Sequence, residues 1–264
     1  MKLKFLGTGT SQGVPVIGCH CRVCTSQDTR DTRLRSSVLI TTDSQKHILI
    51  DCGPDFRQQM LTNRLEQIDA VLLTHEHNDH IIGLDDLRPL IFKNGKNIDL
   101  YSNARVASEL QQRFPYAFAS VRYPGAPSFN LHEITGPFEL FGTAIDPIEV
   151  LHNTIPIYGF RFGSLAYITD ASRIPEVEIA RLHNLDYLIL NCIRKENVHP
   201  AHFILPQAIK LFEELQPREM FLTHISHEMG LHAETELELP SGMHLAYDGL
   251  TLNFSDKKPA INLQ

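Results

Sequence analysis

At 264 residues, with 42% hydrophobic and 21% charged side chains, the chain can bury a substantial core and has the make-up expected of a soluble globular protein. Its 24 basic against 31 acidic residues leave a net charge of −7, which argues against a broad basic face gripping extended nucleic acid. Five cysteines argue against a disulfide framework, and there is neither a signal-peptide pattern nor a run of roughly 20 apolar residues, so a cytoplasmic protein without a membrane span is expected.

In chain order, KLKFLGTGT (2–10) alternates apolar and polar residues and ends in glycine, as a strand entering a tight turn does. GTGTSQG has no lysine of a phosphate-binding loop and reads as a turn. GCHCRVC (18–24) then crowds Cys19, Cys21 and Cys24 together. SSVLITTD (36–43) and KHILIDCG (46–53) pair as strands, 54–67 has helical spacing, and IDAVLLTHEHNDH (68–80) opens with a buried-strand run. A helix over 81–92, a strand over 97–103 and a helix over 104–114 follow, and the Pro- and Gly-rich stretch 115–130 reads as a loop. Strands recur over 138–152, 157–170 and 185–192, then a helix over 205–215 and a strand over 219–224. AVLLTH (70–75) and EMFLTH (219–224) both run an apolar strand into Leu-Thr-His, which suggests two pseudo-symmetric α/β halves meeting at one edge. No linker divides the chain, so a single domain over 1–264 is expected.

THEHNDH (74–80) carries the strongest chemical signal, fitting H-x-H-x-D-H. His75 and His77 are two apart and project to one side of an extended segment, and Asp79 and His80 follow where the chain turns into a helix. Imidazoles with a carboxylate suit zinc, manganese or iron rather than calcium or magnesium. Four ligand-type side chains exceed what one tetrahedral ion with an open water position takes, so two ions are expected. Asp51 ends a strand run as an acid able to orient a metal-bound imidazole, or as a simple turn former.

This motif at a strand end resembles the signature of the metallo-β-lactamase fold superfamily. The resemblance implies a four-layer αβ/βα sandwich and three further ligands at strand ends, matched here by His152, Asp170 and His224. It implies one ion on His75, His77 and His152 and a second on Asp79, His80 and His224, with Asp170 bridging. Ions about 3.5–4 Å apart share a water, generate a hydroxide at neutral pH and clamp the attacked group.

A narrower likeness comes from FLGTGTSQGVPVIGCHCRVC, IDCG with LLTHEHNDHIIGL, and HISH with LPSG and YDG. Together they look like the phosphoribosyl cyclic phosphodiesterase (PhnP-like) group, which implies a small or cyclic phosphodiester substrate. In that group Asp79 serves the reaction as a ligand and His202 stands as general acid, with neighbouring His199 as a rival. Arg88, Arg194 and Lys195 are phosphate contacts by charge alone. Two readings on the same fold compete: a tRNA 3′-processing ribonuclease, which the negative balance and the absence of a basic arm disfavour, and a non-hydrolytic protein of pyrroloquinoline quinone (PQQ) biosynthesis. An export signal, a helical domain beyond His224, or a carboxylate in place of His77 would mark a secreted β-lactamase, a glyoxalase-type thioesterase or a flavodiiron reductase, and none of the three is expected from this sequence.

Cys-x-Cys-x-x-Cys offers three thiolates to one ion, and a structural zinc closes with four ligands. His20, between Cys19 and Cys21, is poorly placed; the resemblance points to His227, with His232 as the local rival. The full expectation is two active-site ions, zinc or manganese, and one structural zinc. For partners, it is a small phosphodiester and a second copy of the chain meeting through 115–130.

Overall fold

The computed structural model describes residues 1–121 and 123–255. Arg122, within the expected loop, and residues 256–264, within the expected domain, lie outside the described residues.

Six strands open the chain: β1 (Lys2–Gly7), β2 (Ser37–Thr41), β3 (His47–Ile50), β4 (Ala70–Leu72), β5 (Ile98–Ser102) and β6 (Phe129–Glu133). The later strands are β7 (Phe138–Leu140), β8 (Thr143–His152), β9 (Ile155–Phe162), β10 (Leu165–Ile168), β11 (Tyr187–Asn191), β12 (Glu219–Thr223), β13 (Met243–Leu245) and β14 (Thr251–Asn253). They form two seven-stranded sheets, ordered β14-β1-β2-β3-β4-β5-β6 and β13-β12-β11-β10-β9-β8-β7. The helices are α1 (Phe56–Thr62), α2 (Asn78–Ile81), α3 (Arg88–Asn94), α4 (Ala104–Arg113), α5 (Pro115–Phe118), α6 (Glu176–Ile179), α7 (Leu205–Leu215) and α8 (His232–Glu238).

Two-residue alternation explains the layering. Val38 and Ile40 of β2, with Ile48 and Ile50 of β3, face the other sheet and pack with Phe160, Phe162, Tyr167 and Phe221. The opposite face of the first sheet, Leu39, Leu49 and Val71, is covered by Phe56 and Met60 of α1, Ile91 of α3, and Val106 and Leu110 of α4. Ala208 and Leu215 of α7 close the outer face of the second sheet over Leu188, Leu190 and Leu222. Helix, sheet, sheet and helix therefore stack in four layers. Fully burying each large apolar side chain contributes about 1.5–3 kcal/mol, and the inter-sheet layer and the two helix–sheet layers are built from such side chains alike.

The strand directions make one edge special. β3 through β6 run parallel, as do β10 through β13, and β8 shares the direction of β10 through its antiparallel partner β9. The C-terminal ends of β3, β4, β8, β10 and β12 deliver Asp51, His75, His152, Asp170 and His224.

Several expectations shift. The helical spacing over 54–67 yields helix only at Phe56–Thr62. The stretch 81–92 is not one helix: α2 ends at Ile81, a tight 3-10 segment covers Ile82–Leu87, and α3 follows. Loop 115–130 contains α5 and the start of β6. The strand over 138–152 splits into a hairpin because Phe141 and Gly142 both take positive φ (54° and 81°), which a two-residue turn demands. Edge strands β6, β13 and β14, and helix α8, were not anticipated. The two sheets match strand for strand, β1–β6 with β8–β13, so the pseudo-symmetric halves stand; within them β4 corresponds to β11 and β12 to β5, so the Leu-Thr-His echo does not mark equivalent strands.

Candidate metal centre

The motif segment leaves β4, passes His75 and His77, and enters α2 at Asp79 and His80. Two glycines let it turn there. A Cβ on Gly53 would meet the Asp79 carbonyl oxygen at 2.0 Å, and one on Gly83 would meet the Gly53 oxygen at 1.9 Å. That closeness allows Cys52 N to donate to His80 O (2.7 Å) and Gly83 N to Cys52 O (2.9 Å), which locks the turn onto the end of β3.

Asp51, Asp170 and His224 all carry left-handed backbones, with φ of 62°, 58° and 53°. Non-glycine residues rarely adopt this conformation, which costs about 1–2 kcal/mol each. Here it bends the chain at the strand end so that the side chain faces the shared edge. Asn191 fixes the turn after Asp170 by bonding both sides of Ala171, accepting from its N (2.8 Å) and donating to its O (2.9 Å).

The side chains converge. Donor atoms of His75, His77 and His152 lie within 4.8 Å of one another, as do those of Asp79, Asp170 and His224, and of His75, His80 and Asp170. Asp170 Oδ2 stands 3.3 Å from His80 Nε2 and 3.2 Å from His224 Nδ1, and Asp79 Oδ2 is 3.2 Å from His80 Nε2. All seven residues assigned from the motif and the resemblance therefore meet at one place.

The hydrogen bonds aim the imidazoles. Buried Asp51 accepts from Thr74 N (2.9 Å) and Thr74 Oγ1 (2.8 Å), and from His80 Nδ1 (2.6 Å). With its proton committed to Asp51, the Thr74 hydroxyl accepts from His75 Nδ1 at 2.9 Å. His152 Nδ1 donates to the carbonyls of Asp170 (2.6 Å) and Ala201 (3.0 Å). The network thus assigns a proton to Nδ1 of His75, His80 and His152 and leaves their Nε2 atoms facing the cluster. His75 Nε2 and His80 Nε2 are buried with no hydrogen-bond partner. Such orphaned atoms cost about 1–3 kcal/mol each, a cost that a cation among them removes. The residues present fit divalent metal.

The electrostatics agree. Burial holds His75 well below the usual imidazole range, and lowers His77 and His224 too, so all three are in the neutral form that a metal ion requires of an imidazole. Burial opposes a proton on His80, yet Asp79, Asp170 and Asp51 raise it well above the ordinary value; the proton marks where three carboxylates want positive charge. Burial works against the Asp170 carboxylate, but His224 and His80 hold it well below the usual range.

His202 lies against the cluster, its ring 5.0 Å from that of His152 and 4.8 Å from that of His224, with Nδ1 3.7 Å from Asp170 Oδ1. Burial pushes it down to about 3. His199 stands behind it, ring to ring at 4.8 Å. The three cations considered for phosphate are each held by a carboxylate: Arg88 by Asp85 (2.6 Å), Arg194 by Glu228 (2.8 Å) and Lys195 by Glu238 (2.7 Å).

A second cluster lies apart. His227 Nδ1 is 3.3, 3.4 and 3.6 Å from the sulfurs of Cys19, Cys21 and Cys24. His232 is turned elsewhere, its Nδ1 3.2 Å from Arg33 Nη2 inside a buried network. In that network Arg33 also donates to Thr8 Oγ1 (2.9 Å), and Asp248 accepts from Thr8 Oγ1 and Leu34 N, both at 2.7 Å. His20 is outside the cysteine cluster. Thr10 N bonds Ile225 O (3.3 Å) and Ile225 N bonds Thr8 O (2.9 Å), so the N-terminal loop and the His224 segment are already laced together.

A family model described as the Beta-lactamase superfamily domain matches residues 46–225. A solved structure, a diphosphatase from the PhnP family, is 43% identical, covers 96% of this chain and 98% of its own, and superposes with a TM-score of 0.89. An octanoyltransferase of Porphyromonas gingivalis is 41% identical over 97% of this chain and 52% of its own length. A coenzyme PQQ synthesis protein B of Xanthomonas axonopodis pv. citri is 29% identical over 57% of this chain and 52% of its own. The chain spans about half the length of these curated relatives.

Proposed function

Because the chain belongs to the beta-lactamase superfamily, we propose that it is a dinuclear metal-dependent phosphodiesterase acting on a small or cyclic phosphodiester. The observation that carries this is the pair of buried, unpartnered Nε2 atoms of His75 and His80 set among carboxylates. Two divalent ions, zinc or manganese, would supply an activated water at neutral pH and neutralise charge on the attacked phosphoryl group. His75, His77 and His152 would hold one; Asp79, His80 and His224 the other; Asp170 stands between them. Asp51 keeps the Nδ1 protons of His80 and, through Thr74, of His75 in place. His202 is the residue placed to protonate a leaving oxygen. Burial keeps it neutral in the free protein, and an anionic phosphate beside it would favour its protonated form. Cys19, Cys21, Cys24 and His227 would hold a structural zinc.

The full-length likeness to a diphosphatase favours a second reading, in which the bond cleaved is a phosphoanhydride. The octanoyltransferase name belongs to a relative with nearly half its length outside the match, and a histidine–aspartate cluster suits attack by water rather than acyl transfer. Metal content measured alongside turnover of bis(p-nitrophenyl) phosphate and of a nucleoside diphosphate ester separates these readings. A protein carrying two ions at the cluster but cleaving neither substrate is not the hydrolase proposed. His77→Ala should abolish turnover with the fold retained; unchanged turnover would remove the site assignment.

A further inference from the structure

The motif segment has two faces. His75, His77 and Asp79 point into the cluster, while the intervening Glu76 and Asn78 point to α4. Arg105 Nη1 donates to Glu76 Oε1, and Arg113 Nη1 to Asn78 Oδ1. Arg105 does more: its Nη2 donates to Pro156 O at 2.8 Å. Pro156 pairs with Leu151 in the β8–β9 hairpin, one rung from the His152–Ile155 pair. A single guanidinium therefore ties the segment carrying His75 and His77 to the hairpin carrying His152.

The tie is firmly based. Asn103 caps α4 by accepting from Val106 N (2.9 Å), and buried Val106 and Leu110 anchor the helix to the sheet. The Glu76 side chain is only 13% exposed, and its Oε2 is buried with no hydrogen-bond partner, so its charge depends on Arg105 for compensation. The planar fork of arginine holds two acceptors at a fixed spacing, which an ammonium on a flexible stem does not fix.

We infer that Arg105 is a positioning residue for one half of the metal centre: it sets the spacing between His75, His77 and His152, and so the affinity of the ion they share. This rests on the reading of those histidines as ligands. Arg105 bonds Glu76 and the Pro156 carbonyl, and acts through them rather than as a ligand.

The test is metal binding. The native chain, Arg105→Met, Arg105→Lys and Glu76→Gln are stripped, reloaded with Zn(II) against a competing chelator, and separately with Co(II) to follow its d–d absorption. Arg105→Met should bind one equivalent about 10–100-fold more weakly and alter the Co(II) spectrum, with the other cluster equivalent and the cysteine-bound equivalent unchanged. Arg105→Lys, keeping the Glu76 pair and losing Pro156, should fall between, and Glu76→Gln should weaken the same equivalent. Should Arg105→Met bind every equivalent with native affinity and spectrum, the inference is wrong. It is equally wrong if all equivalents weaken together with a lowered melting temperature, which would make Arg105 an ordinary surface tie. A native chain that binds no metal at the histidine cluster overturns the metal-centre reading itself, before any variant is compared.

Discussion

Replacing Asp51 with asparagine isolates the device that aims the ligands. Asparagine keeps the volume and tolerates the left-handed backbone at φ 62°, so the turn after β3 survives. Its carbonyl can still accept from Thr74 N at 2.9 Å. Its amide, however, places donor hydrogens where Thr74 Oγ1 (2.8 Å) and His80 Nδ1 (2.6 Å) now donate. His80 must move its proton to Nε2, and the Thr74 hydroxyl, freed to turn, donates to His75 Nδ1 (2.9 Å) and pushes that proton to Nε2 as well. Both imidazoles then present a proton where a lone pair is needed. Each lost charge-assisted bond is worth about 1.5–3 kcal/mol, partly offset by relief from burying a carboxylate that burial already pushes up. The net expectation is metal affinity lower by 10–100-fold, or about 1.4–2.7 kcal/mol. Chelator competition on folded protein, checked by circular dichroism, measures this directly. Native affinity in Asp51→Asn would refute the tautomer argument.

Three further outcomes are expected. Gly83→Ala places a methyl 1.9 Å from the backbone oxygen of Gly53, where no side chain can yield; a cost of about 1–3 kcal/mol should appear as a lower melting temperature with reduced metal content, and an unchanged melting curve would contradict the close contact. Cys21→Ser should lose one zinc equivalent and some thermal stability while turnover per loaded centre stays near native; loss of the cluster metals instead would merge the two sites. Burial pushes Asp248 up to about 6 from 3.8, so its contribution to stability is full below pH 4 and is lost as pH rises through 6. Across that window the native chain should lose about 3 kcal/mol relative to Asp248→Asn, read by urea unfolding at a series of pH values, and parallel curves would sink the assignment.

The histidine–aspartate cluster was legible because ligand chemistry restricts residue type and because four donor-type side chains sit in six positions. His152, Asp170 and His224 came from the order of the family pattern, and Asp51 from its place at a strand end. Distance in sequence hid the rest. Nothing near Thr74 or Ser36 announces that they touch imidazoles, though Ser36 Oγ lies 3.2 Å from His224 Nδ1. Arg105 reads as an ordinary helix-surface cation until α4 is laid beside the motif. The fold's layers followed from alternation, whereas three-residue edge strands such as β13 and β14 are too short for a period to register. His227 and His232 could be separated only by coordinates, since the choice depends on which of them faces cysteines some 200 residues away.

The left-handed trio at Asp51, Asp170 and His224 also restricts which residues those positions can accept. Two filters act on them at once, one for a donor atom and one for a backbone that asparagine, aspartate and histidine tolerate far better than longer or β-branched side chains. Glutamate supplies the same charge as aspartate but passes only the first filter, and its extra methylene would overshoot the 3.2–3.3 Å separations around Asp170. At these three corners the alphabet shrinks to a few short polar letters, and the main chain does as much of the choosing as the need for a donor atom.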